Sequence, residues 1–273
     1  FKRFREIADD VGAYLLADIS HIAGLVGAGV HPSPVDHAHF TTTSTYKQLY
    51  GPRGGLILMG KDHEAPAPNG KKNLTQMVQR GVFPYFQGTP DLAAIASKAR
   101  ALDWVMKPGF KTIAQRIVDD AKKLAELVAK QGYRVLTGGT DNHIVLIDVL
   151  STRNITGVIA EKALEKCNIV INKNRIPGDK KSALVASGAR LGTNSLALRG
   201  MGPEVMPECA DLMHRVLSAV KAEDDHRYSL DAEIKRSCKE QVKTLCQRFP
   251  LPHYGSGTTH SKNEQSDSQL ASL

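Results

Sequence analysis

Apolar residues follow both helical and strand spacing in the first part of the chain. A continuous apolar run that ends at Asp18 is typical of a short buried strand. The pattern predicts a helix at 3–12, a strand at 13–18, a turn or short helix at 24–29, strands at 40–43 and 56–59, and a helix at 91–106 with Asp91 as its N-cap. Gly, Pro and charged residues at 62–72 indicate a surface excursion.

After a predicted break at Pro108 and Gly109, long helices alternate with short strands. Apolar residues recur at helical spacing over 110–131, and Gly132 is a predicted helix stop. The pattern then predicts strands at 134–136, 144–149 and 169–171, a further region around Arg190 and Leu191, and helices at 156–167, 203–222 and 230–248. This order is typical of a smaller α+β domain with antiparallel strands.

The chain of 273 residues is therefore expected to have three segments. We predict one domain at 1–108, a smaller α+β domain at 109–252, and a disordered tail at 253–273, because the tail is rich in Ser, Thr, Gln and Asn. The chain begins at Phe1, inside a predicted amphipathic helix. We therefore expect it to be the C-terminal part of a longer enzyme.

Charge and composition argue against several classes of partner. The net charge is +8, but the 36 Lys and Arg residues are spread among 28 acidic residues without a basic block, so nucleic acid binding is not favoured. Apolar runs are too short for a membrane helix. The four cysteines lie far apart without a CxxC pair, which indicates neither a metal site nor a disulfide framework and fits a cytoplasmic location.

Candidate chemistry centres on Lys47, which follows a hydroxyl-rich run at 41–45 and precedes a Gly/Pro turn at 51–55. A lysine amine can condense with an aldehyde, as it does in pyridoxal phosphate enzymes. Hydroxyls such as those of Ser44 and Thr45 could meet phosphate oxygens, and glycines let backbone approach a ligand closely. The alternative is a Thr-rich edge strand that carries a solvated lysine.

A second candidate is Asp18, at the carboxyl end of the predicted buried strand, where ligands bind in open α/β sheets. A carboxylate there could keep the pyridine nitrogen of pyridoxal phosphate protonated. His21 lies three residues further on and could reach the same ring. The alternatives are a helix N-cap for Asp18 and a core histidine for His21.

Several motifs together resemble the serine hydroxymethyltransferase (glycine hydroxymethyltransferase) family. The matching segments are 17–26, 31–34, 41–55, 82–88, 138–143, 172–177 and 187–193, and the likeness covers roughly 1–252 in order. The resemblance implies an α/β fold. Residues 1–108 would be the C-terminal part of the cofactor-binding large domain of a fold-type I pyridoxal phosphate enzyme, with a mixed, mostly parallel sheet, and 109–252 the small α+β domain.

The resemblance also implies roles for single residues. Lys47 would be the catalytic lysine that binds the cofactor covalently, and Arg190 would hold the substrate carboxylate with two parallel hydrogen bonds. Asn174 and Ser182 match the folate side of the substrate site. The implied cofactor-binding residues are Lys47, Asp18, His21, Ser44, Thr45, Gly88 and Thr89, the last of which stands where the family usually has Gly.

The implied activity is the pyridoxal-phosphate-dependent interconversion of serine and glycine, with transfer of the one-carbon unit to tetrahydrofolate as co-substrate. A folate-independent threonine-type aldolase or transaldolase, and a non-enzymatic homologue, are the alternatives. The family implies a homodimer or homotetramer, and we expect the chain alone to be inactive. Four residues depart from the family pattern near the site and indicate a divergent branch: Tyr46, Tyr50, Tyr85 and Asn194.

Overall fold

The computed structural model describes residues 1–68 and 70–251, so the predicted tail at 253–273 lies outside the described residues. These residues divide into two compact units, one covering Phe1–Ala114 and one beginning at Gln115. Each unit has its own sheet and its own apolar cluster. Throughout the described ranges, no helix combines the length and the apolar character that crossing a bilayer requires.

A three-stranded mixed sheet forms the centre of the first unit. Its strands are β1 (Leu16–Asp18), β2 (Phe40–Ser44) and β3 (Gly55–Leu58), with β2 in the middle. β1 runs parallel to β2, which places Asp18 opposite Thr42, and β3 runs antiparallel to β2. The strands predicted at 40–43 and 56–59 are thus confirmed, and Lys47 lies in the loop between them, as expected.

The prediction of a buried strand at 13–18 is wrong in two respects. Only Leu16–Asp18 is extended and paired, and the side chain of Leu16 is 57% exposed. Asp18 is exposed as well. Among the described residues β1 pairs on one side only, with β2, and an apolar run does not by itself distinguish such an edge strand from a buried one.

The helices of the first unit precede, separate and follow these strands along the chain. They are α1 (Lys2–Asp10), α2 (Ala23–Gly27), α3 (Leu74–Arg80) and α4 (Leu92–Val105). The predicted N-cap of α4 is confirmed, because the carboxylate of Asp91 accepts a hydrogen bond from the backbone N–H of Ala94. Gly81–Phe86 forms a wide, irregular helical turn where no helix was predicted. α5 (Pro108–Lys130) begins at the residue predicted as a break, since proline suits the first helical position.

The second unit contains an antiparallel sheet of four strands in the order β4 (Arg134–Val135), β5 (Ile144–Asp148), β7 (Gly188–Gly192) and β6 (Asn172–Asn174). A separate hairpin pairs β8 (Val220–Ala222) with β9 (Tyr228–Leu230). The remaining helices are α6 (Val149–Arg153), α7 (Gly157–Glu165), α8 (Asn194–Leu198), α9 (Met206–Ser218) and α10 (Ala232–Arg248). Side chains of α5, α7, α9 and α10 pack with those of the sheet in one apolar core.

Two predictions for this unit are corrected. The strand predicted at 169–171 is wrong, because Val170 is 87% exposed and the paired strand is Asn172–Asn174. The helix predicted at 203–222 ends at Ser218, and its last residues form β8 instead. In both places β-branched or apolar residues suited either state, and pairing with a neighbouring strand decided between them.

Candidate functional site

The loop that carries Lys47 is folded tightly back on itself. The backbone N–H of Tyr50 donates to the carbonyl of Lys47 at 3.0 Å, and the N–H of Gly51 donates to the carbonyl of Thr45 at 2.8 Å. The N–H of Thr45 in turn donates to the carbonyl of Gly54 at 3.0 Å. The loop therefore holds Lys47, which is half-buried, directly beyond the end of β2.

The hydroxyl-rich run before Lys47 is divided between two faces by the period of the strand. Thr41, Thr43 and Thr45 are buried, whereas Thr42 and Ser44 lie on the other face and are half-exposed. The hydroxyl of Thr45 donates to the carbonyl of Pro52, so it braces the loop, and its role toward a cofactor stays a prediction. Thr42 and Ser44 share the face that adjoins Asp18.

Asp18 lies at the carboxyl end of β1 among hydrogen-bond donors. Its Oδ1 accepts from the backbone N–H of Ser20 at 2.9 Å, and its Oδ2 accepts from the hydroxyl of Thr42 at 2.9 Å. The pKa of Asp18 is lowered chiefly by Ser20, against the opposing effect of burial; the hydrogen bond from Thr42 and the positive charge of Lys47 add smaller decreases. Asp18 is therefore an ionised carboxylate, and the positive charge of Lys47 is one of the influences that favour its ionised form.

Two tyrosines that depart from the family pattern flank Lys47. The ring of Tyr46 lies 5.7 Å from Nζ of Lys47 and 4.8 Å from Cζ of Arg53, so it meets two cations. Tyr50 packs edge-on against Trp104, with ring centroids 5.3 Å apart, and burial raises the pKa of Tyr50 to about 12. Tyr50 is consequently neutral at physiological pH, where an arginine would carry charge.

The other predicted cofactor residues of the first unit lie in two places. His21 follows Asp18 in the turn before α2, and its side chain is exposed. Gly88 and Thr89 lie in the exposed segment between the irregular turn and α4. Asp18 and Lys47 lie at or just beyond the ends of the adjacent strands β1 and β2 in the first unit, and the roles of all these residues stay predictions.

Arg190 lies in the second unit, at the middle of β7. Its guanidinium donates to Oδ1 of Asn172, its cross-strand partner on β6, at 3.2 Å. Within the part of the chain that the structure describes, Arg190 forms no ion pair. A half-exposed guanidinium that rests on a neutral amide keeps donors available for an anion.

Asn174 ends β6, and Ser182 lies in the loop that follows, which Asp179 organises. Oδ2 of Asp179 accepts from the backbone N–H groups of Ile176 and Ser187, and Oδ1 accepts from the Lys181 N–H and the Ser187 hydroxyl. Burial opposes its ionisation, but these hydrogen bonds prevail and lower the pKa of Asp179 to about 2. Sequence reasoning missed Asp179, although an Asp after Pro-Gly is a common turn signal.

These residues lie within a segment that matches a protein-family model. A family model described as serine hydroxymethyltransferase matches residues 1–213. This match includes the Lys47 loop, the end of β1 with Asp18, and the Arg190 strand. The chain therefore belongs to the serine hydroxymethyltransferase family.

Proposed function

We propose that the protein interconverts serine and glycine with pyridoxal phosphate and transfers the one-carbon unit to tetrahydrofolate. The family supports pyridoxal-phosphate-dependent chemistry on serine and glycine in general. The observation that carries the proposal is the position of Asp18 at the end of β1, beside the strand β2 that leads to Lys47, because an amine and an ionised carboxylate are the two groups that such a cofactor requires. The proposed large domain has a fold-type I sheet, of which β1–β3 would be a part.

The residues of the first unit fit pyridoxal phosphate. Asp18 is exposed at the end of β1, and a carboxylate oxygen that accepts one hydrogen bond can still accept another from a protonated ring nitrogen. The hydroxyl of Ser44, on the same strand face as Thr42, is buried without a hydrogen-bond partner among the described residues. Bound there, the cofactor would act as a sink for electrons released at Cα of an amino acid.

Lys47 and Asp18 would divide the proton chemistry between them. Nζ of Lys47 would bind the cofactor aldehyde and later carry a proton to or from the amino acid. Asp18 would stay ionised and hold the proton of the ring nitrogen through its carboxylate, since its lowered pKa favours the charged form. The ring of Tyr46 would keep Arg53 and Lys47 apart while contacting both.

Arg190 would bind the carboxylate of the amino acid and thereby orient the bonds at Cα. Its planar guanidinium can donate two parallel hydrogen bonds, which a lysine cannot reproduce. Its hydrogen bond to Asn172 supports this proposal because it fixes the side chain without neutralising it. Asn174 and Ser182 would contact the folate, and Asp179 would hold the loop after β6 in shape.

A homodimer or homotetramer is proposed as the active form. Large apolar side chains are exposed along one short stretch of the first unit, which is unusual for a surface that stays in water. This stretch, at 82–95, includes Val82, Phe83, Tyr85, Phe86, Leu92 and Ile95. Its first part, 82–90, resembles the segment that crosses to the neighbouring subunit in the family.

The proposal is tested by measuring glycine formation from serine by the pyridoxal-phosphate-loaded protein, with and without tetrahydrofolate. We expect turnover that depends on folate and is abolished in Lys47→Ala. Borohydride reduction should leave the pyridoxyl group on Lys47, as read by peptide mass spectrometry. The amine of Lys98 serves as the control for this labelling, because its side chain lies against Gly54 in the loop that carries Lys47.

Two outcomes would contradict parts of the proposal. Cleavage of threonine-type substrates at the same rate with and without tetrahydrofolate would favour the folate-independent aldolase. A pyridoxyl group found on Lys98 instead of Lys47 would overturn the assignment of the catalytic lysine.

A further inference from the structure

The carboxylate of Asp18 is held from both sides by two residues to which the family resemblance gives no role. We propose that Ser20 and Thr42 are the positioning residues of Asp18, and that Ser20 ties it to the strand that leads to Lys47. The contacts themselves are independent of any activity. Their meaning for catalysis rests on the proposed function.

Thr42 is placed beside Asp18 by the backbone. The two residues are register partners in the parallel pair β1–β2, so their side chains leave the sheet next to each other. The hydroxyl of Thr42 donates to Oδ2 of Asp18 at 2.9 Å. Because a strand fixes the direction of its side chains, this donor stays aimed at the carboxylate without a separate loop to support it.

Ser20 makes two kinds of contact. Its backbone N–H donates to Oδ1 of Asp18 at 2.9 Å, and the Ser20 side chain is the first cause of the lowered pKa of Asp18. At the same time its Oγ accepts from the backbone N–H of Ser44 at 2.9 Å. Ser20 therefore links the last residue of β2, close to Lys47 in the chain, to Asp18.

These contacts have two physical effects on Asp18. Donors on both oxygens restrain rotation of the carboxylate plane, so that an oxygen keeps a fixed direction toward a ligand. The same donors stabilise the ionised form over the protonated one. An exposed carboxylate without them would rotate freely and titrate near its usual range.

The first test measures the titration of Asp18 in the cofactor-free protein by ¹³C NMR of labelled aspartate, with Asp18→Asn to identify the signal. We expect Thr42→Val and Ser20→Ala each to raise the pKa of Asp18 by about half a pH unit or more. Thr42→Ser should restore the original titration because it keeps the hydroxyl. Thr41→Val is the matched control, since Thr41 is the neighbouring residue on the buried face and its hydroxyl has no partner among the described residues.

The inference is overturned if Asp18 titrates alike in the original protein, Thr42→Val and Ser20→Ala. Should Thr42→Val fail to fold, Ser20→Ala decides the question by the same measurement. A shift that Thr42→Ser does not reverse would also count against positioning, because it would come from altered packing.

The second test uses the loaded protein. Thr42→Val should lower kcat for serine by about tenfold with little change in KM, since orientation of Asp18 matters for the reaction more than for substrate binding. An equal loss in Thr42→Ser would reject the positioning role. If the protein fails to bind pyridoxal phosphate at Lys47, the proposed function falls, whereas the NMR titration still decides whether Ser20 and Thr42 position Asp18.

Discussion

Two aspartates, Asp18 in the first unit and Asp120 in the second, lie in opposite environments. Asp18 is exposed and accepts hydrogen bonds on both oxygens, and its pKa is lowered. Asp120, on α5, is fully buried, and within the described part neither of its oxygens has a hydrogen-bond partner. Burial raises the pKa of Asp120 to about 7, although the charge of Arg116 opposes this.

The contrast shows that burial and the supply of hydrogen-bond donors together decide whether these two carboxylates stay charged. Glu204 and Asp119 add negative charge near Asp120 and favour its protonated form further. Burial first, then the charges of Glu208 and Asp120, raise the pKa of the Cys209 thiol on α9 to about 12. Asp18 stays ionised at the surface, whereas ionisation of Asp120 destabilises the folded protein.

The largest expected effect comes from Asp120→Asn, which removes the ionisation. The carboxyl of Asp120 has a folded-state pKa above its unfolded value, so stability is greatest at acid pH and is lost as pH rises from about 4 to about 7. The loss corresponds to at most about 4 kcal/mol. Denaturant unfolding from pH 4 to pH 8 should show a decline in the original protein that is much smaller in Asp120→Asn.

The control for this prediction is Asp119→Asn, which removes the same charge from the adjacent, half-buried position. It should leave the decline in place. Parallel pH profiles for the original protein and Asp120→Asn would show that Asp120 ionises without penalty.

Asp18→Asn is expected to change the free energy of unfolding less than Asp120→Asn does, but to lower the activity. Because Asp18 is exposed, the free energy of unfolding should change by less than about 1 kcal/mol. Activity of the loaded protein should nevertheless fall by about 100-fold or more, because an amide cannot hold the ring-nitrogen proton by charge. Asp10→Asn, at an exposed aspartate on α1, should change neither quantity, and a stability loss in Asp18→Asn that matched its activity loss would contradict the assigned role.

The last prediction concerns Asp179→Asn, the third carboxylate, and unlike that for Asp18→Asn it is about stability alone. Its pKa of about 2 lies below the unfolded value, so its stabilising effect is present above about pH 4 and is lost as pH falls toward 2. After solvent screening we expect about 1 kcal/mol at pH 7. Thermal unfolding at pH 7 and at pH 2.5 should separate the two proteins only at the higher pH, and an equal difference at both would point to packing rather than charge.

The sequence predicted the Lys47 loop well because its turn is encoded locally. Gly51, Pro52 and Gly54 require a turn between the two predicted strands, and the structure forms it with β2 and β3 on either side. The sequence singled out the region around Arg190 and Leu191 without assigning it a secondary structure, and that region forms β7. Local residue types were sufficient for the Lys47 loop.

Features that depend on contacts between distant residues were predicted less well. The strand expected at 169–171 shifted to Asn172–Asn174, because pairing with β7 decided the register. The bond from Thr42 to Asp18 follows from the parallel pairing of β1 with β2, which no local pattern reveals, whereas the bond from Ser20 joins residues only two apart in the chain. A signal for Asp120 did exist, since it lies three residues after Ile117 and four before Leu124 on the apolar stripe of α5.

Buried and half-exposed residues alternate along β2, and this alternation limits which insertions and deletions this part of the chain can accept. A single inserted or deleted residue at 41–44 would exchange the two faces of the strand, turning Thr42 into the interior and a core threonine toward Asp18. The same change in the exposed excursion at 62–72 would reverse no strand. Natural relatives and engineered variants should therefore tolerate gaps after β3 far more readily than within β2.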